Sequence, residues 1–324
     1  GGHLPIQDHV LELAQLARSY GIGCTVDAEE CDRLELSLDI IEAVVSDPSL
    51  AGWEGFGIVV QAYQKRTPYT IDYLADLARR IGHKLQVRLV KGAYWDAEIK
   101  RAQVEGLADY PVFTRKQNTD VSYLACARRL FGHADAIYPM FATHNAHTIA
   151  AIKVIAQGRT YEHQKLHGMG DDLYAEVIPA DRLDVPCRVY APVGSHEDLL
   201  PYLVRRLLEN GANSSFVNRI TDESGAIDEL IRDPVAAVQS FDSIRHPRIP
   251  LPRELLRSQN HDRTNSMGIN LADDNALKAL AAELDQHTGP WQATALVPGA
   301  QPTGTAVTVT NPADRRQKVG SWTP

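Results

Sequence analysis

The chain has 324 residues, with 33 Lys and Arg against 41 Asp and Glu, so its formal net charge is −8. Hydrophobic residues make up 44% and charged residues 23%, which is typical of a globular protein rather than a disordered one. No apolar run approaches the ~20 residues that span a bilayer, no secretory leader pattern is present, and the negative charge disfavours sequence-independent nucleic-acid binding.

Segments of helical periodicity alternate with short apolar segments along the first 211 residues. Gly21 and Gly23 end the first helix, and Thr70 is a candidate cap for the third. The predicted helices are 7–20, 34–45, 71–81, 121–131, 148–156 and 199–211, and the predicted strands are 24–27, 57–63, 85–90, 137–143, 161–166 and 187–191. This alternation indicates a parallel sheet with helical crossovers.

Two architectures share this pattern, an open doubly wound sheet and a (β/α) barrel. No GxGxxG motif follows a strand, which argues against a dinucleotide-binding sheet. Polar residues lie just past several strand ends, as on the carboxyl-terminal face of a barrel, so the barrel is favoured. Beyond about residue 221 we predict a polar helical segment at 222–245, an extended segment at 246–252, a polar linker at 257–267, a helix at 271–284 and a strand at 305–310.

Several polar residues at strand ends are candidates for a functional site. Arg88 lies inside an apolar strand, where it needs a partner, and Asp27 at the end of an earlier strand is the natural one. The pair could equally be a structural salt bridge. In the segment 91–95, KGAYW, Gly and Ala leave room for a flat ligand and the aromatic rings could pack on it, or the segment could be a turn with two core aromatics. The segment 143–145, THN, could hydrogen-bond a ligand.

Tyr202, Arg205, Arg206 and Glu209 share one face of the helix at 199–211. This face is either solvated, with an Arg–Glu pair, or offers two guanidiniums to a carboxylate or phosphate. We expect no metal site. The four cysteines form no CxxC pair and are predicted to be reduced, mostly buried thiols of a cytosolic protein. The histidines of the only suggestive cluster fall on different elements; they are His144, His147, His163 and His167.

Six segments resemble one family in the expected order. They are VDAEECDRLELSLD (26–39), VRLVKGAYWDAEI (87–99), FATHNAHT (141–148), EHQKLHGMG (162–170), RVYAPVG (188–194) and YLVRRLLENGANSSFVNR (202–219). Over about residues 7–255 the chain resembles the proline dehydrogenase domain of the bifunctional proline utilization A family. The resemblance implies a distorted (β/α)8 barrel with non-covalent FAD. It also implies oxidation of L-proline to Δ1-pyrroline-5-carboxylate, with hydride passing from proline C5 to flavin N5.

The resemblance assigns roles to individual residues. Asp27 and Arg88 match the catalytic pair near substrate and flavin, Arg205 and Arg206 match the pair that holds the proline carboxylate, and Glu209 matches the acid that orients an arginine. The matching walls of the substrate pocket are Tyr94, Leu166, Tyr190 and Tyr202. The matching flavin contacts are Gln61, Arg88, Val90, Lys91, Gly92, Ala93, Trp95, Thr143 and His144.

The family has two further barrel strands before residue 7, and the second carries a lysine that contacts the substrate carboxylate. The chain is therefore expected to be an internal fragment with weak or absent FAD retention. We predict a partial barrel at 1–220, a helical and extended connecting segment at 221–270, and the start of an aldehyde dehydrogenase module at 271–324, with NAD needed only by that module's absent remainder.

The expected partners are L-proline and a membrane quinone that accepts the electrons, in a cytoplasmic protein with peripheral contact at the inner membrane face and a homo-oligomeric parent. Two alternatives remain open: a barrel enzyme forming a Schiff base at Lys91, and an inactive scaffold that needs its missing strands.

Overall fold

The computed structural model describes residues 5–211, 232–259, 261–287, 289–299, 301 and 303–324. The chain divides into two compact units, Gly1–Gly268 and Ile269–Pro324. The first unit is built on six strands: β1 Cys24–Val26, β2 Phe56–Gln61, β3 Leu85–Val90, β4 Ile137–Ala142, β5 Glu162–Leu166 and β6 Cys187–Tyr190. Its helices up to β6 and just beyond are α1 Pro5–Ser19, α2 Leu34–Val45, α3 Thr67–Ile81, α4 Trp95–Glu105, α5 Lys116–Gly132, α6 Ala146–Ala156, α7 Asp171–Ala175 and α8 His196–Gly211.

The six strands are all parallel and lie in the sheet in chain order, β1-β2-β3-β4-β5-β6. A doubly wound sheet reverses its strand order at a switch point, whereas a barrel adds each new strand on the same side. The order therefore confirms the barrel-type α/β fold. Within the described residues, β1 and β6 each pair on one side only.

The helix-facing side of the sheet forms the hydrophobic core of this unit. Side chains alternate between the two faces of a strand, and in β3 the fully buried residues are Leu85, Val87 and Leu89. They pack with apolar residues of the surrounding helices, among them Leu74 of α3 and Leu130 of α5. Burial of this surface is the main force that holds helices and sheet together.

The opposite, inner face of the sheet is polar. The register aligns Val59, Arg88, Met140 and Glu162 across β2 to β5. Two residues further along β5, Gln164 is in register with Arg188 of β6. Because residues in register share a face, Arg88, Glu162, Gln164 and Arg188 all lie on the inner side. The sheet thus separates an apolar outer core from a polar interior.

The structure corrects the sequence interpretation at two places along these helices. Thr70 is not a cap, because α3 already begins at Thr67 and the Thr70 hydroxyl bonds to the Arg66 carbonyl. The helices α4 and α7 had not been predicted. In α4 only Glu98, Ile99 and Ala102 are buried, so the apolar stripe that reveals a helix is nearly absent.

All four cysteines are free thiols, as predicted. Cys31 and Cys126 are buried, whereas Cys24 and Cys187 are half-buried. Burial raises the pKa of the Cys31 thiol, with the neighbouring Glu98 carboxylate acting in the same direction. These thiols therefore pack as small apolar groups.

Residues 232–268 continue the first unit with α9 Pro234–Gln239, a short 3-10 helix Pro252–Glu254, and α10 Leu255–Ser258. The extended conformation predicted for 246–252 is wrong. The Ile249 amide bonds to the His246 carbonyl, which closes a turn with Pro247 at its second position, where its fixed φ is favourable. Part of the predicted helix at 222–245 lies outside the described residues, and the linker predicted at 257–267 includes the end of α10.

The second unit contains α11 Asp274–Gln286 and a three-stranded sheet of β7 Trp291–Thr294, β8 Val307–Thr310 and β9 Lys318–Thr323. In this sheet β9 is central, parallel to β7 and antiparallel to β8. The sequence predicted α11 and β8 but not the other two strands. In the parts of the chain that the structure describes, no helix is long and apolar enough to cross a membrane.

Candidate active site

Arg88 is the centre of the polar inner face. Its Nη2 lies 2.7 Å from Asp27 Oδ1, and its Nη1 donates to Gln164 Oε1 at 3.2 Å. Its Cζ lies 5.3 Å from the centroid of the Tyr190 ring. The ion pair expected with Asp27 is therefore present. Asp27 just past β1, Gln164 within β5 and Tyr190 at the end of β6 surround the guanidinium, which is 13% exposed, while the Asp27 side chain is 73% exposed.

The loop that follows β1 is tied to the next two strands by side chains of the candidate site. Gln61 Nε2 donates to the Glu29 carbonyl at 2.7 Å, and the Tyr94 hydroxyl donates to the Glu29 carboxylate at 2.7 Å. The Ala93 amide donates to Gln61 Oε1 at 3.4 Å. Gln61 thus links the loops after β1 and β3, and the loop carrying Asp27 is fixed beside Arg88.

Glycine is required at position 92 both by the backbone conformation and by the neighbouring Tyr63 ring. The φ of Gly92 is +138°, which residues with a side chain rarely adopt, and a Cβ placed there would lie 2.4 Å from Cγ of the Tyr63 ring. The sequence suggested that this glycine leaves room for a flat ligand. The structure gives a further reason, which is the close approach of the loop backbone to a buried aromatic ring.

Lys91 directly precedes this glycine, and Trp95 follows it by three residues. Lys91 Nζ lies 2.5 Å from Asp120 Oδ1, and its side chain is 40% exposed. Lysines that form Schiff bases are desolvated or lie beside another cation, so this environment does not favour the Schiff-base alternative. Trp95 Nε1 donates to the Phe113 carbonyl at 2.7 Å, which orients the indole, and Lys116 Nζ lies 5.4 Å from its ring centroid.

Thr143 and His144 follow β4 and help to fix the end of β5. His144 Nε2 accepts a hydrogen bond from the Leu166 amide at 3.3 Å. The buried Tyr174 hydroxyl contacts the carbonyls of Thr143 at 2.8 Å and Gln164 at 3.3 Å. Burial raises the pKa of Tyr174, so its hydroxyl remains a donor. These contacts connect the carboxyl ends of two neighbouring strands.

The remaining predicted site residues lie at the same end of the sheet or on α8. Leu166 is buried and is the register partner of the half-buried Tyr190. Val90, half-buried, pairs with Gln61. Tyr202 is half-buried on α8. The side chains of three predicted substrate-binding residues on α8 lie outside the described part of the structure; they are Arg205, Arg206 and Glu209.

The histidines considered as metal ligands do not converge. His163 lies on the outer face, where its ring packs against Phe141, Tyr161 and Tyr174, and its Nδ1 lies 3.4 Å from the Phe141 carbonyl. His144 instead accepts from a backbone amide. Over the described ranges, no three His, Cys, Asp or Glu side chains are grouped so that they could hold a metal ion.

Replacement of His163 with leucine is expected to make the free energy of unfolding fall less as the pH is lowered. Burial lowers the pKa of His163 from 6.5 to about 4. Between these two pH values the unfolded state binds the proton and the folded state does not, so the wild type loses about 3 kcal/mol as the pH falls. Urea unfolding at pH 7 and pH 4 should show a smaller loss in His163→Leu. The exposed His167→Leu variant should behave like wild type, and equal pH dependence in all three would contradict the assignment.

The sequence interpretation missed several residues of this site. Glu162 and Gln164 lie on the inner face of β5, and both are buried. Their signal was available, because polar side chains at alternate positions of a strand share one face. Glu29 was among the polar residues past the end of the first strand, but its contact with Tyr94 could not be predicted. Tyr63 gave no such signal, since it acts through a contact with a residue 29 positions away in the chain.

Comparison with known proteins identifies the family. The family model described as proline dehydrogenase matches residues 3–219, which is most of the chain and all of the six-stranded sheet. The chain belongs to the proline dehydrogenase family.

Its relatives within this family include bifunctional proteins. The chain is 54% identical over 322 residues to the bifunctional protein PutA of Klebsiella aerogenes, covering 95% of this chain and 24% of that protein. It is 52% identical to PutA of Rhizobium meliloti, covering 97% of this chain and 26% of that protein. A crystal structure of a bifunctional proline utilization A protein matches with a TM-score of 0.84 and 50% identity, over 91% of this chain and 30% of the other. The chain thus spans about a quarter of the length of these bifunctional relatives.

Proposed function

We propose that this chain carries the proline-oxidising site of a bifunctional proline utilization protein, with FAD as the cofactor and L-proline as the substrate. The observation that carries the proposal is the fixed Arg88, paired with Asp27 on the inner face of a sheet of the proline dehydrogenase family. An Arg with three different anchors is suited to hold a ligand in one orientation.

The residues around Arg88 fit a flavin. Arg88 Nε is buried and has no hydrogen-bond partner among the described residues, so a donor remains for a ligand acceptor. At Gly92 the Tyr63 ring occupies the space that a Cβ would fill, so the part of this loop proposed to contact a flat ring system is its backbone. The residues that would hold FAD are those matched by resemblance: Gln61, Arg88, Val90, Lys91, Gly92, Ala93, Trp95, Thr143 and His144.

The protein's own groups bind and orient the substrate. Leu166, Tyr190, Tyr94 and Tyr202 form the walls that exclude water. Arg205 and Arg206 of α8 supply the positive charges for the proline carboxylate, and Glu209 orients an arginine. The ion pair of Asp27 with Arg88 places a fixed guanidinium beside the proposed position of the reacting carbon. Bound FAD would supply the hydride acceptor for C5 of proline. Fixing both partners in this way lowers the barrier chiefly by positioning.

The wider assignments extend this proposal. Electrons pass onward to a membrane quinone through peripheral contact at the inner face of the cytoplasmic membrane, and the complete protein is a homo-oligomer. Residues 271–324 begin an aldehyde dehydrogenase module. The boundaries at about 220 and 270 remain predictions. The support is the high identity to the bifunctional protein PutA of other bacteria, over nearly the whole chain.

The test uses the complete purified protein. Bound flavin should give the protein its visible absorbance, and L-proline should bleach it without oxygen, while D-proline, with the same atoms and opposite geometry, should not. A folded protein that binds no flavin, or whose flavin L-proline leaves unchanged, would reject the proposal. Borohydride trapping of a carbonyl substrate on Lys91 would support the Schiff-base alternative instead.

A further inference from the structure

A continuous row of polar groups crosses the inner face of the sheet from Asp27 to Arg188, and we name it the polar row. Arg88 bridges Asp27 at 2.7 Å and Gln164 at 3.2 Å. Gln164 Nε2 donates to Glu162 Oε1 at 2.8 Å. Glu162 in turn accepts two hydrogen bonds from Arg188, at 2.9 and 3.0 Å. The row joins β1, β3, β5 and β6 through side chains alone.

Gln164 occupies the one place in the polar row that needs both a donor and an acceptor. Its neighbour on one side is the Arg88 guanidinium, which only donates hydrogen bonds. Its neighbour on the other side is the Glu162 carboxylate, which only accepts hydrogen bonds when it is ionised. The amide of Gln164 has a carbonyl oxygen that can accept from Arg88 and an NH2 group that can donate to Glu162. The two neighbours therefore fix the amide in a single orientation, with Oε1 towards Arg88 and Nε2 towards Glu162.

The remaining contacts of Gln164 fix both its side chain and its backbone. Its side chain is buried, and its Nε2 also lies 3.0 Å from Met140 Sδ. Its backbone carbonyl is held by the Tyr174 hydroxyl. Glu162 is likewise buried and is anchored by Arg188, whose pKa its carboxylate raises. The amide is thus a rigid support on the side of Arg88 that Asp27 does not reach.

We propose that Gln164, oriented by Glu162, is a positioning residue that holds the Arg88 guanidinium in place. The Asp27 side chain is largely exposed and contacts only Nη2, so by itself it leaves the Nη1 side of the guanidinium unsupported. The inference rests on the proposed function in so far as Arg88 acts on substrate and flavin. The position of Arg88 itself does not depend on that function.

Two single variants should disturb this support. Gln164→Met keeps a similar volume but offers Arg88 no acceptor. Gln164→Glu places a carboxylate within hydrogen-bond distance of Glu162, where like charges repel. In the complete FAD-loaded protein we expect each variant to lower kcat/KM for L-proline about tenfold, the effect of losing one hydrogen bond to a charged group. In crystal structures, the hydrogen bond to Arg88 Nη1 should be absent in Gln164→Met, with the guanidinium displaced from its wild-type position.

A double variant and a control separate positioning from packing. Glu162→Gln with Gln164→Glu exchanges the amide and the carboxylate at unchanged net charge, so that Arg88 keeps an acceptor at position 164 and the amide at 162 can donate to it, while Arg188 retains one of its two acceptors. It should restore kcat/KM to within about threefold of wild type, because directly coupled residues compensate each other. Tyr138→Phe removes a hydroxyl 3.5 Å from Glu162 without touching Gln164, and it should leave both kcat/KM and Arg88 unchanged.

Each result bears on one of the two proposals. An unmoved Arg88 with unchanged kcat/KM in Gln164→Met, or a double variant no better than Gln164→Glu, overturns the positioning role. A folded wild type that does not oxidise proline rejects the proposed function instead. In that case the position of Arg88 in the crystal structures still decides whether Gln164 supports it. Restored activity and geometry in the double variant support the inference, even if Gln164→Met is poorly folded.

Discussion

Replacing Arg88 with methionine is expected to lower kcat/KM for proline oxidation at least about 100-fold in the complete protein. Hydrogen bonds to charged groups contribute about 1.5–3 kcal/mol each, and this substitution removes the contacts to both Asp27 and Gln164. It also removes the buried Nε donor that is available to a ligand. Steady-state kinetics with L-proline, together with flavin content, measure the loss.

The matched control is Arg80→Met on the surface of α3. Arg80 is 47% exposed and is paired with Glu42 at 2.7 Å and Asp76 at 3.3 Å, so it resembles Arg88 in its ion pairing but not in its location. Because exposed ion pairs contribute about 0–1 kcal/mol, this variant should keep wild-type kinetics. Kinetics of Arg88→Met within about threefold of the control would show that the Asp27 pair is only structural.

Replacing Gly92 with alanine is expected to destabilise the protein by about 2–6 kcal/mol and to release its flavin. The added Cβ would lie 2.4 Å from the Tyr63 ring, and overpacking of this kind costs about 1–3 kcal/mol. The φ of +138° adds a further backbone penalty of about 1–3 kcal/mol. Because Tyr63 is buried, the loop rather than the ring must move, and it carries neighbouring predicted flavin contacts with it.

Gly82→Ala is the matched control for the backbone part of this effect. Gly82 ends α3 with a φ of +77°, and a Cβ there would have no atom within 4 Å. This variant should cost about 1 kcal/mol and leave flavin content unchanged. Urea unfolding and the flavin-to-protein ratio after gel filtration measure both variants. Equal losses in the two would mean that the contact with Tyr63 is not what requires glycine at position 92.

Much of the first unit could be predicted from local patterns. The strand Leu85–Val90 and the helix Leu34–Val45 have the predicted bounds, because their apolar residues repeat with the periods of a strand and a helix. The partnership of Asp27 with Arg88 could be predicted as well, since strand ends meet in a parallel sheet and a buried Arg requires an anion.

Features that depend on distant contacts could not be predicted. In α4 the buried Glu98 accepts from the Cys31 amide at 2.7 Å, so this helix is held partly by a polar contact that no periodicity reveals. Whether a polar face of a strand meets solvent or a polar interior depends on the neighbouring strands, so the alternation of Glu162 and Gln164 indicates a shared face but not that this face is buried. The turn at Pro247 shows the same limit, since proline restricts the preceding residue but fits both extended chain and turns.

The separation of the two faces of the sheet has a consequence for how this sequence can change. Along β3, Leu85, Val87 and Leu89 belong to the hydrophobic core, while Arg88, between two of them, belongs to the polar interior. Selection for a stable fold and selection for catalysis therefore act on alternate positions of one short strand. A substitution at Leu85, Val87 or Leu89 therefore changes chiefly the packing of the core, whereas one at Arg88 changes chiefly the polar interior.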